Sequence, residues 1–307
     1  MSKGTQQEFE DRKLERLMRL ATYSSVAVAS ILIFVKTGAW LSTESLSLLA
    51  SLVDSMLDVG ASLISLIAVH HALQPADKEH RFGHGKAEAI AGLAQSAFIA
   101  GSGVFLLFES ADRLINPVKV VNTTLGISIM VIAIVLTVIL VGFQTYVVRK
   151  TNSIAIKADT IHYRADLLVN LAVIVSLMLA ANFDLYIVDP IFAVLIVGYM
   201  SFGAYQISAR SLDVLMDKEF PNSERERIKK IAESHRSVLN VHDMRTRSSG
   251  TTSFIQFHAE MPNDISLVEA HEIADEVMLM IEEAFPNTEV LIHQDPEGVD
   301  ERRDKIK

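Results

Sequence analysis

Two carboxylates, Asp54 and Asp58, interrupt an otherwise apolar run, Leu48-Leu49-Ala50-Ser51-Leu52-Val53-Asp54-Ser55-Met56-Leu57-Asp58-Val59-Gly60-Ala61. Residues at i and i+4 share a helix face, so both carboxylates point the same way. Much later in the chain, His162-Tyr163-Arg164-Ala165-Asp166 repeats the spacing at the head of another apolar run. An ionised group at bilayer depth is costly, and where one occurs it usually faces a bundle interior and marks an ion pathway. Brought together, the two faces supply three carboxylates and one imidazole, the ligand number of a tetrahedral divalent-metal site. Either pair alone would also suit a helix end satisfied by water. Two such pairs in separate apolar runs favour the metal.

Two further groups carry ligand chemistry. Asp77-Lys78-Glu79-His80-Arg81-Phe82-Gly83-His84-Gly85 holds three candidates, Asp77, His80 and His84. Their spacing suits a solvated charged loop at least as well, although Gly83 and Gly85 would let the backbone fold the imidazoles inward. Nearer the C-terminus, strand alternation puts His258 with Phe254, Gln256 and Glu260, opposite Ile255, Phe257, Ala259 and Met261. His293 and Asp295 are two apart and share a side if their strand continues. His242 opens a hairpin, and His271 rides a helix. These residues read equally as exposed histidines or as a second metal site.

The elements that must position these groups follow from hydropathy. Residues 17–41, 44–73, 88–115, 120–148, 154–181 and 186–209 form six apolar stretches, each long enough to cross about 30 Å of hydrocarbon. The second carries Asp54 and Asp58, and the fifth is headed by His162 and Asp166. Residues 1–16 are polar and read as a cytoplasmic arm; being charged, they do not resemble a cleavable signal peptide. Lys and Arg crowd that arm (Arg12, Lys13, Arg16, Arg19), the second-to-third loop (Lys78, Arg81, Lys86) and the fourth-to-fifth loop (Arg149, Lys150). Positive residues stay inside, so both termini are expected in the cytoplasm.

Past Arg210 the composition turns polar. Residues 223–234 read as a helix that Ser223 and Glu226 could cap reciprocally. Residues 238–247 and 251–261 read as strands joined by Ser248-Ser249-Gly250. Residues 267–284 form an amphipathic helix, and 289–292 a last strand. The expected architecture is therefore a six-helix transmembrane domain, 17–212, and a cytoplasmic α+β domain, 213–296, in αββαβ order with both helices on one side of a three-stranded sheet. Residues 297–307 read as a disordered tail.

Composition narrows the function. The chain has 307 residues, half of them hydrophobic, with the apolar content concentrated in the first two thirds. A formal charge of −9 argues against nucleic acid as a partner, and the absence of cysteine removes thiolate metal sites and cysteine nucleophiles.

Six apolar stretches, the Asp-x3-Asp of the second, the His-x3-Asp of the fifth and the α/β tail together resemble the cation diffusion facilitator family. Ser51-Leu52-Val53-Asp54-Ser55, Arg81-Phe82-Gly83-His84-Gly85-Lys86 and His162-Tyr163-Arg164-Ala165-Asp166-Leu167 carry the resemblance most specifically. It implies a transport site of Asp54, Asp58, His162 and Asp166 and a loop site of Asp77, His80 and His84. In the tail, which resembles a metallochaperone, it implies a binuclear site of His242, His258, His271, His293 and Asp295, with Asp295 bridging. It implies also a salt bridge between Lys86 and Asp217, a homodimer, and residence in a bacterial inner membrane. Asp54 fits the family's bacterial subgroup and leaves the metal less settled.

The ligands themselves suggest the activity. Carboxylates and neutral imidazole bind metal only when deprotonated, so one site that holds either metal or protons couples their opposite flows. The expectation is export of Zn²⁺, with Cd²⁺ and Fe²⁺ as further candidates, against protons across the lipid bilayer. A membrane metallohydrolase is the rival class, but it needs an open coordination position and a general base. A membrane-anchored metal sensor is another; six stretches bearing ligands exceed what an anchor requires.

Overall fold

The computed structural model describes residues 3–43, 46–115, 123–183 and 188–298. Six long helices come first: α1 (Lys3–Thr43), α2 (Leu46–Ala72), α3 (Ala87–Ile115), α4 (Thr123–Thr151), α5 (Ile154–Phe183) and α6 (Val188–Leu215). There follow α7 (Asn222–Glu233), β1 (Asn240–Ser249), β2 (Thr252–Met261), α8 (Leu267–Ala284) and β3 (Thr288–Pro296). The helical membrane region and the C-terminal α+β domain are thus both present. The chain divides into two compact units. Residues up to Pro75 and Lys86–Leu212 make one; Ala76–Gly85 and the residues from Asp213 make the other. The loop between α2 and α3, which the sequence sets inside the 17–212 segment, therefore packs with the tail.

Among the described residues five helical segments are long and apolar enough to cross a membrane: Arg12–Leu41, Leu52–Ala72, Ala87–Phe108, Val131–Thr151 and Ile191–Leu215. The remaining long helix, α5, carries Lys157, Asp159, Arg164 and Asp166 in its first half. It packs against α4, α3 and α2 and touches α1. Polar side chains are tolerated there because neighbouring helices surround them. The polar arm is part of α1, which begins at Lys3; Gln, Glu, Lys, Arg and Leu are good helix formers whether or not lipid is near. Small residues let helices approach closely. A Cβ on Gly92 would meet Ile154 and Ser211 side-chain atoms at 2.6 Å, and one on Gly203 would meet Ile161 at 2.8 Å.

In the tail, β1 and β2 form an antiparallel hairpin turned at Gly250 (φ +65°), and β3 joins β2 in parallel, giving the order β1-β2-β3. A parallel neighbour needs a crossover, and α8 supplies it. Ile255, Phe257, Ala259 and Met261 of β2 pack with Ile228 and Ala232 of α7 and Ala274, Val277 and Ile281 of α8 in one buried core. The other face of β2 carries Gln256, His258 and Glu260 beside Phe254.

The helix capping differs from the sequence reading. Ser223 does not cap α7. Pro221 occupies the N-cap with no side-chain cap bond, and its carbonyl accepts from Glu224 N at 2.9 Å and Arg225 N at 3.1 Å. The capping box stands instead on α8, where Ser266 Oγ accepts from Glu269 N at 3.2 Å and Glu269 Oε2 accepts from Ser266 N at 2.8 Å. These bonds hold the Glu269 carboxyl below its ordinary pKa. Strand β3 also outruns its expected end at 292, because pairing with β2 carries the polar residues His293, Gln294 and Asp295 along. The tail expected to be disordered from 297 falls outside the described residues after 298.

Candidate metal centres

The first centre forms where α2 meets α5. His162 Nε2 lies 3.0 Å from Asp58 Oδ1 and 3.6 Å from Asp166 Oδ2. Ligand atoms of Asp58, His162 and Asp166 all fall within 4.8 Å of one another. Asp58 and His162 are 8% and 6% exposed, and Phe98 of α3 sets its ring 5.6 Å from the imidazole. Asp166 Oδ2 makes no hydrogen bond and His162 Nδ1 has none either. Buried carboxylate oxygen normally finds a donor; here two carboxylates converge on one imidazole, which suits a cation. Asp54 lies one turn earlier on α2 and is exposed. Beside it, Ser55 Oγ accepts from Lys36 Nζ of α1 at 2.6 Å.

The second centre is the loop. Asp77 Oδ1 accepts from the backbone N–H groups of His80 (2.6 Å) and Glu79 (2.9 Å), an Asx turn. Those bonds, His80 first, hold the Asp77 carboxyl below its ordinary value. Gly83 adopts φ +75° and returns the chain, so His84 Nε2 reaches Asp77 Oδ2 at 3.3 Å and the His80 and His84 rings lie 4.6 Å apart. Gly85 has a different task from the one its position suggested. A Cβ there would collide with the Ser249 carbonyl oxygen, so its lack of one lets the loop lie against the hairpin. Phe82 is held there too, under the Arg247 guanidinium (4.3 Å) and edge-on to Phe254 (5.4 Å).

The third centre depends on strand register. His242 pairs with His258, and His258 with His293, so three histidines form one row across β1, β2 and β3. A row shares one sheet face, here the one opposite the apolar core. Asp295, 4% exposed, sits beside the row. Its Oδ2 lies 2.9 Å from His258 Nδ1 and 3.4 Å from His242 Nε2, while Oδ1 lies 3.2 Å from His293 Nε2. A carboxylate that turns its two oxygens to different imidazoles has the form of a bridge. A register irregularity between His242 and Arg245, with Asp243 at φ 48°, re-aims the His242 end.

One residue expected in the tail site stands apart from the histidine row. His271 on α8 is 70% exposed in its side chain and meets Asp275, 3.7 Å away on its own helix. Lys86 directly precedes α3 and Asp217 lies just past α6, where Asp217 meets Arg247 Nη1 at 3.7 Å. Three acidic residues had gone without a role. Glu260 Oε1 lies 3.3 Å from His242 Nε2; its place on the His258 face was visible in the alternation. Asp159 and Glu88 are buried in the helical unit at 1% and 4% exposure. Asp159, three residues before His162, had a helix-face signal; Glu88 had none.

Comparison with known proteins covers nearly the whole chain. The family model described as the cation efflux transmembrane domain matches residues 22–216, and the one described as the cation efflux protein, cytoplasmic domain, matches 220–297. The chain is 48% identical over 283 residues to the cation-efflux pump FieF of Shewanella oneidensis, covering 92% of this chain and 95% of that one. It is 44% identical over 289 residues to FieF of Yersinia enterocolitica, covering 94% and 96%. Among solved structures, CzrB in its Zn form is 37% identical, with a TM-score of 0.26, covering 28% of this chain and 99% of that one.

Proposed function

Since the chain belongs to the cation efflux family, the cation diffusion facilitators, we propose that it is a transporter that exports Zn²⁺ from the cytoplasm in exchange for protons. Cd²⁺ and Fe²⁺ are further candidate substrates. Its relatives carry the name cation-efflux pump, which supports cation export as the coarse activity. The observation that carries the reading is the convergence of Asp58, His162 and Asp166 within 4.8 Å on two packed helices. Asp54 completes the set as the fourth ligand, one turn along the same face of α2. An imidazole with three carboxylates accepts Zn²⁺ without excluding Cd²⁺ or Fe²⁺.

The coupling follows from ligand chemistry. Carboxylates and imidazole must shed protons to bind a metal, so binding releases protons and protonation releases metal. Alternating access to one such site exchanges the two. The tail has a separate task. His242, His258, His293 and Asp295, with His271, would hold zinc that supports the homodimer; the family's cytoplasmic domain supports that assembly. Asp77, His80 and His84 offer a further site in the loop. Lys86 and Asp217 form an interlocking salt bridge in this reading. The protein is multi-pass, with both termini cytoplasmic and a bacterial inner membrane as its seat; the Lys and Arg distribution supports the orientation.

Purified protein in vesicles loaded with a zinc-sensitive dye tests this directly. Zinc entry that dissipates an imposed pH gradient is expected. Zinc binding or hydrolysis without flux would replace the transporter with the sensor or the metalloenzyme, and flux indifferent to the proton gradient would remove the antiport.

A further inference from the structure

A second buried carboxylate lies one turn from the Asp58–His162 pair, in a network that joins four helices. Asp159 Oδ2 accepts from Gln144 Nε2 of α4 at 2.6 Å. Its Oδ1 accepts from Ser62 Oγ of α2 at 3.5 Å. Ser62 Oγ is also 2.8 Å from the Tyr163 hydroxyl, which lies 3.3 Å from the Ser25 carbonyl of α1. Asp159, Ser62, Gln144 and Tyr163 are all at or below 1% exposure.

The placement of these residues along their helices gives the network its meaning. Ser62 is four residues after Asp58, on the same face of α2. Asp159 precedes His162 by three, and Tyr163 follows it directly. The network therefore ties α2 to α5 at the turn next to the one where Asp58 and His162 meet. A metal ligand held by a second layer of hydrogen bonds keeps its orientation, and loss of that layer typically lowers metal affinity 10- to 100-fold. An alternative is that Asp159 is simply a satisfied core carboxylate. Against that stands its choice of partners: Ser62 and Tyr163 both belong to the backbone turns that carry ligands.

We infer that Asp159 is a positioning residue for the transport site. Through Ser62 and Tyr163 it sets the alignment of α2 and α5 that brings Asp58 and His162 to 3.0 Å. This rests on the transport-site reading above. What it contributes is a fixed pattern of hydrogen bonds, and an uncharged amide of the same shape can keep that pattern. Gln144 Oε1 is buried without a hydrogen-bond partner. In Asp159→Asn the Gln144 amide can turn over, so that Oε1 accepts from the new Nδ2.

Zinc flux into vesicles, measured against zinc concentration and corrected for inserted protein, separates the possibilities. Asp159→Ala is expected to raise the half-saturating zinc concentration by about tenfold or more, with maximal flux much less affected. Asp159→Asn is expected to stay within about twofold of the parent, since the bonds survive. Tyr163→Phe should raise half-saturation in the parent and add little in Asp159→Ala, because residues in one network are not additive. If Asp159→Ala does not insert, Gln144→Met removes the amide partner and carries the same expected rise.

Unchanged half-saturation in Asp159→Ala, or in Gln144→Met where that variant stands in, would overturn the inference. So would Asp159→Asn as damaged as Asp159→Ala, or strictly additive effects with Tyr163→Phe. Asp58→Ala is the control that separates this failure from the larger one. Parent-like flux in Asp58→Ala would overturn the transport site itself, and the inference with it.

Discussion

His258 faces His242 across the β1–β2 pairing with the two rings stacked, 5.2 Å between centroids and 28° between planes. Two imidazoles so close, with Asp295 against both, support the proposed tail site over a scatter of exposed histidines. Metal that binds only the folded chain stabilises it, by about 2.7 kcal/mol at a hundredfold excess over Kd. Zinc is therefore expected to raise the melting temperature of the full-length protein, and Asp295→Ala to diminish that rise. Thermal melts with zinc and with chelator measure it; an equal zinc shift in the variant would dismiss the site.

Asp58→Ala should abolish zinc flux in vesicles while insertion and assembly persist. Asp58 is the acidic partner closest to His162, and its loss leaves two of the three converging ligands. Flux and size-exclusion profile together check this.

His162→Asp is expected to change metal choice more than it changes transport. It converts the site to oxygen ligands alone, which suit Mn²⁺ better than a site bearing imidazole does. Zinc, cadmium and manganese uptake compared in both proteins gives the ranking. An unaltered ranking would mean that His162 touches no metal.

Glu88 of α3 is the external cap of α5. Its Oε1 accepts from Ser153 Oγ at 2.8 Å and its Oε2 from Ile154 N at 3.1 Å, satisfying a donor that a helix N-terminus otherwise leaves free. Glu88→Ala strands two buried donors at a cost of about 1–3 kcal/mol each, and Glu88→Gln, which keeps an acceptor, should lose less. Melting curves without zinc would show the order; equal loss in both would point to charge alone.

The loop turn at Asp77 should outlast mild acid. Its carboxyl is held below the ordinary value of 3.8, chiefly by the His80 amide. A depressed carboxylate contributes stability that is present above the unfolded pKa and lost as pH falls through the folded one. The Asp77 turn is thus expected to persist from pH 8 down to about 4 and to open only below that. The Asp77 carboxyl carbon resonance reports this, and a titration midpoint above 3.8 would contradict it.

Much of the molecule was legible because it is local. The pairing of Asp54 with Asp58 and of His162 with Asp166 needs only the helical repeat, which backbone geometry imposes on any helix. The apolar stretches needed only length, and α8 begins and ends where its amphipathic pattern does, Leu267–Ala284. Caps were less legible: Ser223 and Ser266 both precede a Glu by three, and only the path of the chain through Pro221 and Ser266 chose between them.

What the sequence alone determined, then, is which side chains share a face of a helix or strand, since that follows from repeats of 3.6 and 2 residues. Which faces meet was decided by tertiary packing. Strand register put His293 in line with His258 and extended β3 to reach Asp295, while His271 stayed on its own helix. Helix packing joined Asp58 to His162 across 104 positions, Asp159 to Gln144 of α4, and Glu88 to the start of α5. Such contacts depend on the register and approach of whole elements, to which many weak apolar contacts contribute and which no single residue type encodes.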